Sequence, residues 1–203
     1  MEHNHQLVGA LLLITAFALF RGPQALAQEM IFDLDTARSS VQFTLPATLH
    51  TVHGTFKLKP GQIHYNASAG TVAGTLAADA ASGETGNDRR DRKMHRDVLQ
   101  SDRYPEFSFT LRQISGHLAP EGSSEMQLNG VLKIHGAEHE LTLRAPVQIK
   151  ERILTATTQF VVPYASWGLK NPSNMFVHVS DKVTVDLSIA GTVRAATAST
   201  AAR

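Results

Sequence analysis

From Met30 onward, apolar and polar side chains alternate with a period of two. Val41, Phe43 and Leu45 are separated by Gln42 and Thr44, and Phe107, Phe109 and Leu111 by Ser108 and Thr110. Leu141, Leu143, Ala145, Val147 and Ile149 repeat the pattern, as do Val183, Val185, Leu187 and Ile189 near the end. Successive side chains of a strand point to opposite faces of a sheet, so each run predicts a strand with one apolar and one wet face. Between the runs, KPGQ (59–62), NASAG (66–70), APEGSS (119–124) and HGAEH (135–139) collect the residues that turns require, so the strands are expected to follow one another by hairpins.

Residues 82–105 break the pattern. Charge dominates there, and Met94, Val98 and Leu99 fall at i, i+4 and i+5, which predicts an amphipathic helix ended by Pro105. Roughly eight strands and one helix suit an all-β fold, an extended eight-stranded antiparallel barrel with one short helix near one end. Closure removes sticky edges and gives the apolar face an interior. A barrel of about eight strands holds either side chains alone or one small ligand. Small residues on the strands (Ala73, Gly74, Gly130, Ala145 and Ala156) either leave room for a ligand or mark bulges and bends.

The 203 residues and 42% hydrophobic content suit one domain with a full-sized core. Leu7 to Phe20 is an apolar run too short to span a bilayer, and Ala25-Leu26-Ala27 follows as a cleavage site. The expected organisation is therefore a signal peptide over 1–27, a barrel domain over 28–193 and a disordered tail over 194–203, in a periplasmic protein. The absence of cysteine removes disulfides, thiolate metal sites and cysteine nucleophiles. A formal net charge of +1 gives no whole-molecule attraction to nucleic acid.

Ten histidines raise the question of metal. His50, His53, His95, His135 and His139 could share one rim, yet His50 and His53 lie on an extended segment, and His135 and His139 flank a turn rather than sharing a helix face. Backbone or carboxylate partners are the ordinary alternative. The run Arg89, Arg90, Arg92, Lys93 and Arg96, interleaved with Asp88, Asp91 and Asp97, reads as a solvated helix face or as a cationic lip at the barrel mouth. WGLKNPSNMF (167–176) reads as a long hairpin loop, either packing Trp167 on the barrel end or covering a ligand. No nucleophile elbow, phosphate loop, dinucleotide fingerprint or HExxH motif occurs, and nothing in the spacing of Ser, His and Asp selects a triad, so the residues give no support to a hydrolase.

Several segments in order resemble the YceI-like family of exported, lipocalin-like barrels associated with polyisoprenoid binding. These are FDLDTARSSVQF (32–43), HGTFKL (53–58), MHRDVLQSDRYPEFSF (94–109), LNGVLKIHGAEHELTL (128–143) and VTVDLSIAGTV (183–193). The Asp-x-x-x-Ser-x-Val-x-Phe opening, the Tyr-Pro-Glu strand entry and the Gly-x-Leu-x-Ile-His-Gly hairpin together carry the likeness. The chain departs from many members in the Tyr164–Pro172 segment before the last strand. The resemblance implies a lipocalin-like barrel that binds a polyisoprenoid lipid or isoprenoid quinone without a cofactor.

On that reading Phe43, Leu45, Phe56, Leu58, Phe107, Phe109, Leu132 and Leu143 are expected to line the ligand site. His50, His95, Trp167 and Lys170 are expected at its mouth. The expected partner is a long apolar small molecule, with transient contact to a membrane or membrane redox protein and a homodimer as further expectations. The alternatives are a His-rimmed metal- or haem-handling protein and a ligand-free structural or stress-response barrel.

Overall fold

A computed structural model describes residues 29–196. The expected signal peptide (1–27) and the last seven residues of the expected tail lie outside the described residues. Ten strand segments form one antiparallel sheet that closes on itself. They are β1 (Glu29–Leu34), β2 (Ser40–Leu45), β3 (Val52–Leu58), β4 (Gln62–Asn66), β5 (Thr71–Glu84), β6 (Glu106–Ser115), β7 (Gly122–Ile134), β8 (Ala137–Lys150), β9 (Ile153–Val162) and β10 (Val183–Ala195).

Ten segments make eight staves because two staves are broken. β1 and β2 both pair with β10, through Leu34 opposite Gly191 and Thr44 opposite Thr184. β3 and β4 both pair with β5, through Leu58 opposite Ala78 and Ile63 opposite Gly74. Each stave is antiparallel to its neighbours in sequence, and β10 returns to the first stave. The eight-stranded antiparallel barrel expected from the alternation is the observed architecture.

The first break explains the Asp-x-x-x-Ser motif. The Asp35 carboxylate accepts from the amides of Ala37 (3.0 Å) and Arg38 (3.3 Å). The Ser39 hydroxyl donates to the Asp35 carbonyl (2.7 Å) and accepts from the Ala190 amide (2.9 Å). Ser39 thus satisfies a backbone donor of β10 where the ladder is interrupted. The second break corrects an expectation: KPGQ is a bend within one stave, not a hairpin. Pro60 has no amide to donate, and the chain crosses it without reversing, with the Lys59 amide bonded to Ala77 (2.8 Å) and the Gly61 carbonyl to Leu34 (3.0 Å).

A helix forms within the charged run, but it ends at Leu99, where Gln100 turns left-handed (φ 48°), and not at Pro105 as expected. The Asn87 side chain caps α1 (Asp88–Lys93) by accepting from the Arg90 amide (3.0 Å), and α1 runs into a π-helical turn, Met94–Leu99. Val98 and Leu99 are buried against the barrel, and Met94 is half-buried. At the other extreme of the chain, Arg194 and Ala195 pair with Ile31 and Met30. The barrel therefore runs two residues past the expected tail boundary, because β1 offers them a ladder to join.

The connections sort to two poles. Residues 46–51, 85–105, 135–136 and 163–182 lie at one pole. Residues 67–70, 116–121 and 151–152 lie at the other, together with the chain's entry at Glu29 and its exit at Ala196, whose amide bonds the Glu29 carbonyl (2.7 Å). Met126, Val147 and Ala156, backed by Ile114, Leu118, Leu128, Leu154 and Ile189, fill the barrel on the second side. Small residues serve this packing. A Cβ on Gly54 would stand 2.4 Å from the Phe43 ring, and one on Gly130 would stand 2.7 Å from that of Phe109. The glycines at 54 and 130 seat aromatic rings against the wall, Ala145 is buried opposite Met126, and Ala156 packs in the filled end.

A blind apolar tunnel as the candidate site

The half of the barrel nearer the first pole encloses a cavity of about 760 Å³. All eight residues expected to line a ligand site line it: Phe43 and Leu45 on β2, Phe56 and Leu58 on β3, Phe107 and Phe109 on β6, Leu132 on β7 and Leu143 on β8. Phe43 and Phe56 meet with ring centroids 5.4 Å apart, and Phe56 meets Phe107 edge-on at 5.2 Å, so one wall is a run of aromatic rings. Leu143 and Leu187 line the cavity, whereas the next inward positions, Ala145 and Ile189, do not. The tunnel is blind below that layer, where the filled end begins.

Its mouth is less apolar. Thr85, Asn87, Arg89, Arg90 and Lys93 line it from the helical connection, His50 from the β2–β3 loop, and Pro172 and Val177 from the β9–β10 loop. The helix start is fixed by one polar cluster. Asp91 accepts from the Thr85 amide (3.1 Å) and hydroxyl, and Arg90 donates to the Thr85 hydroxyl (2.6 Å) and carbonyl (2.8 Å). Desolvation pushes the Asp91 pKa up, but the Thr85 bonds and neighbouring Arg90 outweigh it and hold the carboxyl below its ordinary value. Lys93 reaches the Pro172 carbonyl at 3.4 Å, which ties helix to loop. Buried Tyr164, which also lines the tunnel, donates to the Ser180 carbonyl (2.7 Å); burial, with Asp181 nearby, raises its pKa to about 12.

Of the four expected mouth residues only His50 lines the cavity. Trp167 instead stacks on His139, ring centroids 3.8 Å apart and planes within 5°. Lys170 is exposed near Asp97, whose carboxyl is held down first by its bond to Arg96. His95 bonds the Gly83 carbonyl through Nε2 (2.8 Å) and Ser101 through Nδ1 (3.1 Å). The carbonyl can only accept, so Nε2 carries a proton.

The other histidines disperse. His53 meets Thr44 (3.1 Å), His64 meets Glu29 (2.9 Å), and His135 packs on Tyr104 with ring centroids 4.3 Å apart. Among the described residues, no three or more His, Asp or Glu side chains gather as a metal site would require. The Tyr104 ring also covers Gly136, so the Tyr-Pro-Glu and His-Gly motifs of the sequence are two sides of one contact that closes the β7–β8 turn. Arg89, Arg90 and Lys93, which line the rim, belong to the run that the sequence leaves as either a solvated helix face or a cationic lip, because the charges carry no mark of the direction they face; the rim position missed from sequence is Val177.

The YceI-like domain model matches residues 32–191. Among solved structures, the chain is similar to BcnA of Burkholderia cenocepacia, with 18% identity, a TM-score of 0.66, and coverage of 79% of this chain and 100% of that one. It is similar also to a polyisoprenoid binding domain from Saccharophagus degradans implicated in plant cell wall breakdown (17% identity, TM-score 0.62, 80% and 98% covered). A third is the YCEI protein of Campylobacter jejuni, at 15% identity and a TM-score of 0.56, covering 74% and 88%. At these identities the structures share the fold. No curated protein matches the chain.

Proposed function

The chain belongs to the YceI-like family, and from that premise we propose that it is an exported carrier that holds an elongated apolar lipid, a polyisoprenoid or isoprenoid quinone, in its barrel, and not an enzyme. The observation that carries this reading is the blind tunnel of about 760 Å³ with an apolar wall and a polar, cationic rim. Small-molecule sites commonly enclose roughly 300–1,000 Å³. A polyisoprenoid offers area and few directional groups, which is what this wall can grip. Roughly twenty buried carbons at ~0.8 kcal/mol each give about 16 kcal/mol, which association costs of about 4–15 kcal/mol reduce to about 1–12 kcal/mol, a range that spans micromolar affinity. The binding-domain neighbour from Saccharophagus supports the ligand class by its name.

The test is mass spectrometry of organic extracts from purified protein. We expect a stoichiometric polyprenyl species in the wild type and in Thr157→Glu, which changes the exposed face of β9, but not in Phe109→Glu, which charges the tunnel wall. Unfolding midpoints of both variants monitor the fold. Equal retention by the two variants would refute the tunnel as the site.

A further inference from the structure

We propose that the open pole of the barrel docks on anionic phospholipid bilayers, with Leu49, Met175 and Phe176 entering the lipid and neighbouring cations meeting the headgroups. Single exposed apolar residues are ordinary on a protein surface. Here the large ones cluster. Four are exposed among the described residues, Leu49 (71%), Val161 (51%), Met175 (90%) and Phe176 (84%), and all four belong to the open pole, Val161 on the outer face of β9 one residue before its end.

Their exposure is built into the loops. The Asn174 carboxamide accepts from the amides of Phe176 (2.9 Å) and Val177 (3.0 Å), and the Asn174 amide bonds the Val177 carbonyl (3.0 Å). This tight turn holds Met175 and Phe176 at its tip. Asn171 stiffens the same loop, donating to Val179 (3.0 Å) and Asp181 (2.6 Å) and accepting from the Ser173 amide (2.8 Å). The loop is strapped to the one carrying Leu49 through the Thr48 amide on the His178 carbonyl (2.9 Å) and the Ala47–Val179 bridge.

Charge complements the apolar tip. The helical connection, residues 85–105, holds six Arg and Lys against four Asp. Asp97 pairs with Arg96 at 2.7 and 2.9 Å, which leaves five cations against three aspartates. Arg89, Arg92, Lys93 and Lys170 are exposed on this pole. An apolar tip beside a net positive surface fits an anionic bilayer better than a neutral one, because interfacial binding adds apolar burial to attraction for anionic lipid. The tunnel lining reaches the tip, since His50 and Val177 line the mouth next to Leu49 and Phe176. The inference deepens the carrier reading on which it rests: docked this way, a lipid guest passes between bilayer and barrel without crossing water.

Co-sedimentation of the purified protein with phosphatidylcholine vesicles, with and without phosphatidylglycerol, tests it. Binding is expected on the phosphatidylglycerol vesicles, about tenfold weaker on phosphatidylcholine alone, and about tenfold weaker on anionic vesicles for Leu49→Asp/Met175→Asp/Phe176→Asp and for Arg92→Gln/Lys170→Gln. The substituted side chains are exposed, so unfolding midpoints should match the wild type. Failure of the wild type to sediment with anionic vesicles would overturn the proposal and leave the tip to a protein partner, and equal sedimentation of the apolar triple variant would overturn it too. A wild type that sediments but carries no lipid would retain the docking surface and refute the carrier reading alone.

Discussion

Tunnel depth should set ligand length, and Leu143→Trp tests this directly. Leu143 lies in the last layer that lines the cavity, above Ala145 and the packed end. Inward positions on one strand are two residues apart, or about 6.6 Å at a rise of ~3.3 Å per residue, so an indole there removes about one layer of depth. A layer of that height accommodates about one five-carbon isoprene unit. At ~0.8 kcal/mol per methylene-sized group its loss removes about 4 kcal/mol of burial from a guest that fills the tunnel, an upper value because the guest can bend towards the mouth. Half of that gives a Kd roughly 30-fold higher, and the whole nearly 1,000-fold. The assay is competition of prenols of increasing length, from farnesol upward, against a fluorescent apolar probe. The longest prenols that bind the wild type should weaken by the stated factor, while prenols short enough to end above residue 143 should stay within about threefold. The substitution fills existing space, so an unfolding midpoint close to that of the wild type is the control. Uniform weakening at all lengths, or none at any, would refute the blind-end argument.

Three further outcomes follow from the packing and the titrating groups. Gly54→Ala places a Cβ 2.4 Å from the Phe43 ring and 2.6 Å from the Glu84 carbonyl, and should cost about 1–3 kcal/mol in chemical denaturation, with Phe43→Leu recovering part of it. Asp91 has a lowered pKa in the folded state, so its contribution is present above its ordinary value of 3.8 and lost as the pH falls through the folded value; Asp91→Asn should be less stable than wild type near neutrality, with the gap closing in acid. Burial, with Arg103 nearby, lowers the pKa of His135, whose buried Nε2 has no hydrogen-bond partner among the described residues, so the unfolded chain takes up this proton first. Stability should therefore fall as the pH drops below the ordinary value of 6.5, and His135→Asn, compatible with the positive φ of 52° there, should show a shallower fall in thermal midpoint over that range.

The barrel wall was legible because a period of two states which face each residue takes, and one buried face leaves a single register available. That is why Phe43, Phe107 and Leu143 could be placed inside from their neighbours alone. The rim follows no period. Trp167 turns to His139 and His95 to Gly83, and each pairing depends on chain segments brought together only by closure. Turn chemistry was equally ambiguous at KPGQ, where Pro and Gly break a ladder as readily as they reverse a chain. The bend was decided by β5, which is long enough at 14 residues to carry both halves of the broken stave.

The entry at Glu29 and the exit at Ala196 adjoin each other at the pole farthest from the mouth. A reporter, an affinity handle or a solid support joined at either residue would leave the opening unobstructed, so immobilised molecules would share one orientation, with their mouths turned to the solution. Loading and release of a guest could then be followed on a sensor surface without the coupling chemistry competing for the path the guest must take.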